Sequence, residues 1–184
     1  MTRIQESPAY FSGLAALLIF ALTNLLSFVR SLWRTYRDRG RYIRALYSEI
    51  RFNVMDLRNF NKKESSIQKV YDALDADPTG MIPHVTDAKH THIYKSSVTQ
   101  LAEVDGHLIG SIVQYYGQLD QIVEMINGLS KASFKTISAQ GQKNVINRIY
   151  AHTRQAEAYG TTLMSALERR YPLLRLAARK SAVG

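Results

Sequence analysis

From Ser7 to Val29 the chain runs 23 positions without a charged side chain. A helix over 9–29 would be about 31 Å long, close to the roughly 30 Å hydrocarbon core of a bilayer. A helix of a soluble protein normally keeps a charged or polar face over that length. A secretory signal would need a basic leader and a small-residue cleavage site. Here only Arg3 precedes the run, offset by Glu6, and Arg30-Ser31-Leu32-Trp33-Arg34 follows it. The pattern predicts a transmembrane helix over 9–29 behind a short extracytoplasmic stretch, 1–8.

The flanks predict an orientation. Arg30, Arg34, Arg37, Arg39, Arg41 and Arg44 follow closely, opposed only by Asp38. The positive-inside rule then puts the N-terminus outside and the remainder in the cytoplasm, as a single-pass protein of the inner (plasma) membrane. Tyr10 and Phe11 at one end, and Trp33 and Tyr36 at the other, suit the interfacial aromatic belts. Arg30, Trp33, Arg34, Tyr36 and Arg37 are therefore the expected membrane-association residues. Within the span, Gly13 and Ala16 offer small surfaces and Asn24 a strongly polar side chain. These are the candidates for helix association in the membrane.

Beyond the apolar run the chain reads as helix nearly everywhere. Ile43, Leu46, Tyr47, Ile50, Asn53, Val54 and Leu57 recur at three- and four-residue steps, the stripe of an amphipathic helix. Asn59 to Lys63 reads as a break, and Ser65 or Ser66 as the cap of a short helix carrying Ile67, Val70, Tyr71 and Leu74. Asp77-Pro78-Thr79-Gly80 is a turn, continued by Pro83. A third helix is expected from Thr86 or Asp87 to about Glu103. A fourth runs from Asp105 with Leu108, Ile109, Ile112, Val113, Tyr116, Leu119, Ile122, Val123 and Ile126, stopping at Asn127-Gly128. A long helix over about 136–170 shows Val145, Ile149, His152, Ala156, Tyr159, Leu163 and Leu167. Pro172 ends it or opens a last short helix, Leu173 to Lys180. The expected fold is all-α: a single N-terminal transmembrane helix followed by an antiparallel helical bundle. The expected divisions are a basic juxtamembrane amphipathic helix over 30–63, a bundle domain over 64–171 and a basic amphipathic tail over 172–184.

Charge is segregated as strongly as hydropathy. The net charge of +9 divides into +7 over 30–63, −6 over 64–129 and +8 over 130–184. Two uses of the basic ends compete. They can pair with the acidic middle, or they can face anionic lipid headgroups, where each cation contributes about 1 kcal/mol. Arg169, Arg170, Arg175, Arg179 and Lys180 are the C-terminal candidates for lipid contact. Nucleic acid is not an expected partner, because the densest arginine cluster adjoins the apolar run and no nucleic-acid motif is present.

Candidates for chemistry are few. With no cysteine in the chain, thiol catalysis, disulfides and cysteine-ligated metals are excluded. No phosphate-binding glycine loop, hydrolase or EF-hand signature appears. His84, Asp87 and His90 fall at steps of three, and a helix would bring them to one side, with His92 pointing away. His and Asp are zinc-type ligands, but the segment follows Pro83 and lacks the His-Glu-x-x-His pattern. No metal site, cofactor or catalytic residue is therefore expected. Glu49 and Asn53 stand one turn apart, with Asp56 beyond. They read as a buried asparagine fixing helix register, with its charged neighbours in solvent. Tyr115 and Tyr116 read as core-edge residues with wet hydroxyls. The functional expectation is a membrane-anchored cytoplasmic helical interaction or scaffold module in a membrane-associated assembly. It would bind anionic headgroups and either a protein partner or itself. The alternatives are a metal-dependent enzyme using His84, Asp87 and His90, or a membrane-tethered sensor or effector of stress or phage-defence type.

Overall fold

A computed structural model describes residues 8–62, 65–77, 90–96 and 98–177, with side chains for all of these but 8–16, 65, 66 and 98. The described residues hold seven α-helices and no strand. They are α1 (Pro8–Asn61), α2 (Ser65–Ala76), α3 (His92–Ser96), α4 (Val98–Leu101), α5 (Gly106–Leu129), α6 (Ala132–Thr136) and α7 (Ala139–Arg170). A 3-10 turn, Pro172–Leu174, follows. The chain divides into two compact units, Met1–Arg41 and Tyr42–Gly184. The expected all-helical class is thus found. Among the described residues, α1 is the one helix long and apolar enough to cross a membrane.

In the first unit, every residue from Leu17 to Asp38 is exposed. Polar side chains of the apolar run bond to their own helix. Thr23 Oγ1 donates to Ile19 O at 2.7 Å and Asn24 Nδ2 to Phe20 O at 2.9 Å. Such back-bonding is how a helix hides polar groups from an apolar environment.

In the second unit, three helices supply the main core. From α1 come Ile43, Leu46, Tyr47, Ile50, Val54 and Leu57, the residues of the sequence stripe, each at most 3% exposed. From α5 come Ile112, Tyr115, Tyr116, Leu119 and Ile122. The buried face of α7 is Gln142, Ile146, Ile149, Thr153, Ala156, Gly160, Leu163 and Leu167. Its alternating four- and three-residue steps form the seam of closely packed helices. This face is rotated from the one expected: Val145, His152 and Tyr159 sit at its margin, half-buried. Polar and small residues hold seam positions that hydropathy alone passes over.

Contacts descend α7 as they climb α1. The Tyr47 hydroxyl donates to the Glu168 carboxylate. Farther along, Arg58 Nε and Asn61 Nδ2 each donate to Glu157 at 2.8 Å, and Thr153 Oγ1 donates to Asn61 Oδ1 at 2.9 Å. A second cluster joins Leu74, Leu129, Phe134, Ile146, Ile149 and Tyr150. Lys143 Nζ, 2.6 Å from Asp75, holds α2 to α7 beside it.

The helix limits have identifiable causes. Asp105 caps α5 by accepting from His107 N at 3.0 Å, and Ser138 caps α7 by accepting from Gly141 N at 3.2 Å. The expected stop at Asn127-Gly128 is overrun, because Leu129 is 1% exposed in the second cluster and its burial carries α5 one residue further. Of the third helix expected to reach Glu103, the described residues hold α3 and α4, and helix ends at Leu101; its expected start lies outside the described residues, as do Pro78 to Gly80 and Pro83.

At Gly160 the three helices come closest. A Cβ there would lie 2.5 Å from Val54 Cγ2 and 2.6 Å from Tyr115 Cε2. In an open helix Gly→Ala gains about 1 kcal/mol. Here Gly160→Ala should instead destabilise by about 1–3 kcal/mol through overpacking. The thermal midpoint should then fall by about 2–4 °C per kcal/mol. Val54→Ala in the same background should recover part of that loss in a double-mutant cycle.

Candidate functional site

The buried polar residues of α1 organise the chain that returns beside it. Asn53 is fully buried; its Nδ2 donates to His90 O at 2.7 Å, and its Oδ1 accepts from His90 N at 3.0 Å. One turn earlier, Glu49 is 8% exposed and accepts from Ile93 N at 2.6 Å and Tyr94 N at 3.2 Å. These amides lie in the first turn of α3, where helix N–H groups have no partner within the helix. A carboxylate from α1 thus does the work of a local cap. It also accepts the Tyr116 hydroxyl at 2.6 Å.

The aromatic surroundings complete this assembly. Tyr94 stacks on Tyr116 with centroids 4.0 Å apart, and Tyr115 meets Tyr116 edge-on at 5.5 Å. Burial, with the Glu49 carboxylate next in importance, pushes the Tyr115 and Tyr116 hydroxyls far above the ordinary tyrosine value. Both stay protonated and act as donors. Two sequence expectations are corrected here. Tyr115 and Tyr116 are fully buried rather than wet at a core edge, and Glu49 is buried with Asn53 rather than facing solvent. The expectation that Asn53 is buried agrees with its placement, but its amide holds the His90 backbone rather than setting the register of two helices.

The Glu49 carboxylate and the Asn53 amide at the centre of this assembly are buried. Every Glu49 contact is to a backbone amide or a tyrosine, which makes it an anchoring carboxylate. The histidine segment is only partly on view. His84 and Asp87 lie outside the described residues. His90 Nε2 is 3.7 Å from Asp56 Oδ2, and its ring meets Phe52 edge-on at 4.5 Å. Among the described residues, no group of three or more His, Asp or Glu side chains is placed to hold a metal ion.

The expected membrane-association residues are exposed. Arg30, Trp33, Arg34 and Arg37 follow one another at helical spacing along one face of α1, with Arg37 over the Trp33 ring at 5.6 Å. Tyr36 is 59% exposed. Of the helix-association candidates, the Asn24 amide bonds within its own helix; the Gly13 and Ala16 side chains lie outside those described. The C-terminal cations separate. Arg170 is 2.5 Å from Asp105 Oδ2, whose carboxyl is held below its usual range by the His107 N–H and by Arg170. Arg169 and Arg175 are exposed; Arg179 and Lys180 lie outside the described residues. Arg44 and Arg51, which the sequence reading did not single out as a pair, share a face with Tyr47 and Ser48. Their seven-residue spacing, two helical turns, was the available signal.

Asn53→Ala should leave the His90 N–H and C=O without partners, at a cost of about 1–3 kcal/mol. Amide exchange over 90–96 should accelerate about tenfold or more, with a smaller change in α5 and α7. Equal acceleration throughout would show that this attachment is inseparable from global stability.

A separate pH effect is expected from Glu157. Burial alone would raise this carboxyl, but hydrogen bonds from Asn61 and Arg58 outweigh it and hold it below the ordinary 4.5. The resulting stability is present above the unfolded value and is lost as pH falls through the lowered folded value. Melting curves from neutral pH to about pH 3 should therefore show a shallower acid limb for Glu157→Gln than for the parent chain. No protein-family model, no curated protein and no solved structure matches this chain.

Proposed function

We propose that this protein is a single-pass inner-membrane protein whose cytoplasmic part, an antiparallel helical bundle, serves as a non-catalytic interaction or scaffold module. The supporting observation is the exposure of the apolar run. Twelve large apolar or aromatic side chains between Leu17 and Tyr36 are each 53–69% exposed, and none of the apolar window is buried. Leaving such a surface in water forfeits burial worth on the order of 10–20 kcal/mol. Soluble monomers rarely present apolar patches of that extent. A bilayer covers the run without any other element of the chain. The arginines that follow favour the cytoplasmic side for everything after them.

The interaction role rests on what the second unit offers. Its buried carboxylate and tyrosines bind the chain's own backbone, and the histidine segment shows no assembled ligand set among the described residues. What remains available to partners is helix surface held at a membrane, where tethering raises effective concentration. The partner is a protein or a second copy of the chain, with anionic headgroups meeting the basic flank.

Fractionation tests the anchoring. The full chain should sediment with membranes and resist alkaline carbonate extraction, and its intact mass should include residues 1–29. Recovery of a shortened, soluble chain would mean the run is a cleaved signal. A C-terminal reporter should score as cytoplasmic, and neutralising Arg30, Arg34, Arg37, Arg39, Arg41 and Arg44 together should mix the orientations.

A further inference from the structure

We propose that the cleft between the middle of α1 and the chain following the 3-10 turn binds a phosphate group. The cleft has a volume of about 260 Å³ and is lined by Arg44, Tyr47, Ser48 and Arg51 from α1 and by Leu174, Arg175 and Leu176. That is just below the roughly 300–1,000 Å³ of pockets for drug-sized ligands, and suits a small phosphate ester. Three arginines from two separate stretches of chain line it, and no acidic residue does. Among the described residues none of the three is in an ion pair, whereas Arg58, Lys95, Lys143 and Arg170 each meet an acid. The nearby acid, Glu168, already accepts the Tyr47 hydroxyl. Like charges gathered without ion pairs of their own repel one another, and a bound anion relieves that repulsion. Guanidinium matches phosphate geometry through paired N–H donors, better than an ammonium does.

The backbone supplies a second, independent sign. Arg175 has φ 48° and ψ 47°, and it is the one non-glycine residue of positive φ among the described residues. This left-handed conformation is disfavoured by a Cβ, and non-glycine residues in it concentrate at functional sites. It persists here because both neighbours are fixed: Leu176 is 8% exposed in the main core and Leu174 packs against it. A glycine would adopt this backbone without strain, but it would bring no guanidinium to the cleft. Ser48 Oγ already donates to Arg44 O at 2.8 Å, so its proton is used and the arginines are the anion donors.

The phosphate can belong to a soluble ester or to a lipid headgroup, and the chemistry of recognition is the same. The inference stands apart from the membrane reading, since every lining residue lies within the second unit. The test uses the full chain in a non-ionic, phosphate-free detergent. One arm titrates inorganic phosphate and glycerol phosphate, followed by phosphorus NMR line broadening. The other titrates phosphatidic acid in mixed micelles, with diacylglycerol as the uncharged control. Saturable binding is expected in at least one arm, and which arm responds identifies the source. Arg44→Gln, Arg51→Gln and Arg175→Gln together should weaken it about tenfold or more, since each removes charge-assisted hydrogen bonds. The charge-matched set Lys131→Gln, Lys135→Gln and Arg148→Gln should change it less than about twofold if binding is local and not a property of net charge. Arg175→Gly separates site from fold: its melting temperature should not fall, because the backbone strain is relieved, yet phosphate binding should weaken severalfold. Absence of saturable binding in both arms, an equal loss in the two triple variants, or undiminished binding by Arg175→Gly would each overturn the proposal.

Discussion

The approach of three helices at Gly160 fixes the geometry of the second unit. With Val54 Cγ2 and Tyr115 Cε2 filling the space that a Cβ would take, α1 and α5 lie against the bare backbone of α7. The neighbouring seam positions, Thr153 and Ala156, are small as well, while bulk comes from the facing helices as tyrosine, valine and isoleucine. Interiors tolerate little change in volume, so this division between small and large residues sets which turn of each helix meets which. The pairings of Tyr47 with Glu168, and of Arg58 and Asn61 with Glu157, then fall at the registers where the side chains can reach.

The buried polar residues do a different job from the apolar ones. Asn53 and Glu49 bind the backbone of 90–94, Gln142 donates to Phe134 O at 3.0 Å, and Thr153 joins Asn61 to α7. The first three hold the backbone of neighbouring chain, and one of the segments so held, α6, has only five residues. A five-residue helix makes too few internal hydrogen bonds to offset the cost of nucleation. It persists because a side chain from a long helix satisfies a backbone group that would otherwise be stranded. Buried polar contacts of this kind demand one arrangement, whereas apolar contacts accept several.

The proposed roles draw on surfaces the core leaves over. The run of exposed apolar side chains in the first unit and the guanidinium cleft in the second both contain groups that folding alone does not satisfy. One is apolar and exposed, and the other gathers three arginines that are in no ion pair among the described residues. Arg170 shows the contrast: it meets Asp105 and helps to close α5, so it belongs to the fold. The C-terminal cations, alike in sequence, therefore divide between internal pairing and an open surface.

The sequence by itself determined what depends on pattern along the chain. The charge-free run over 7–29, the stripe from Ile43 to Leu57, the α5 period from Ile112 to Ile122, and the helix start at Asp105 are all local signals, and the described residues that carry them are helical. Only tertiary structure decided what depends on a neighbour distant in sequence. Gly160 is a seam residue because Tyr115 and Val54 need its space. Glu49 is buried because Ile93, Tyr94 and Tyr116 supply donors that offset the loss of water. Leu129 extends α5 because Phe134 and Ile146 lie beside it in one cluster. Arg44, Arg51 and Arg175 form one cleft because the chain turns back at residue 175. Spacing reports which residues share a face, while burial, satisfaction and charge are properties of what that face meets.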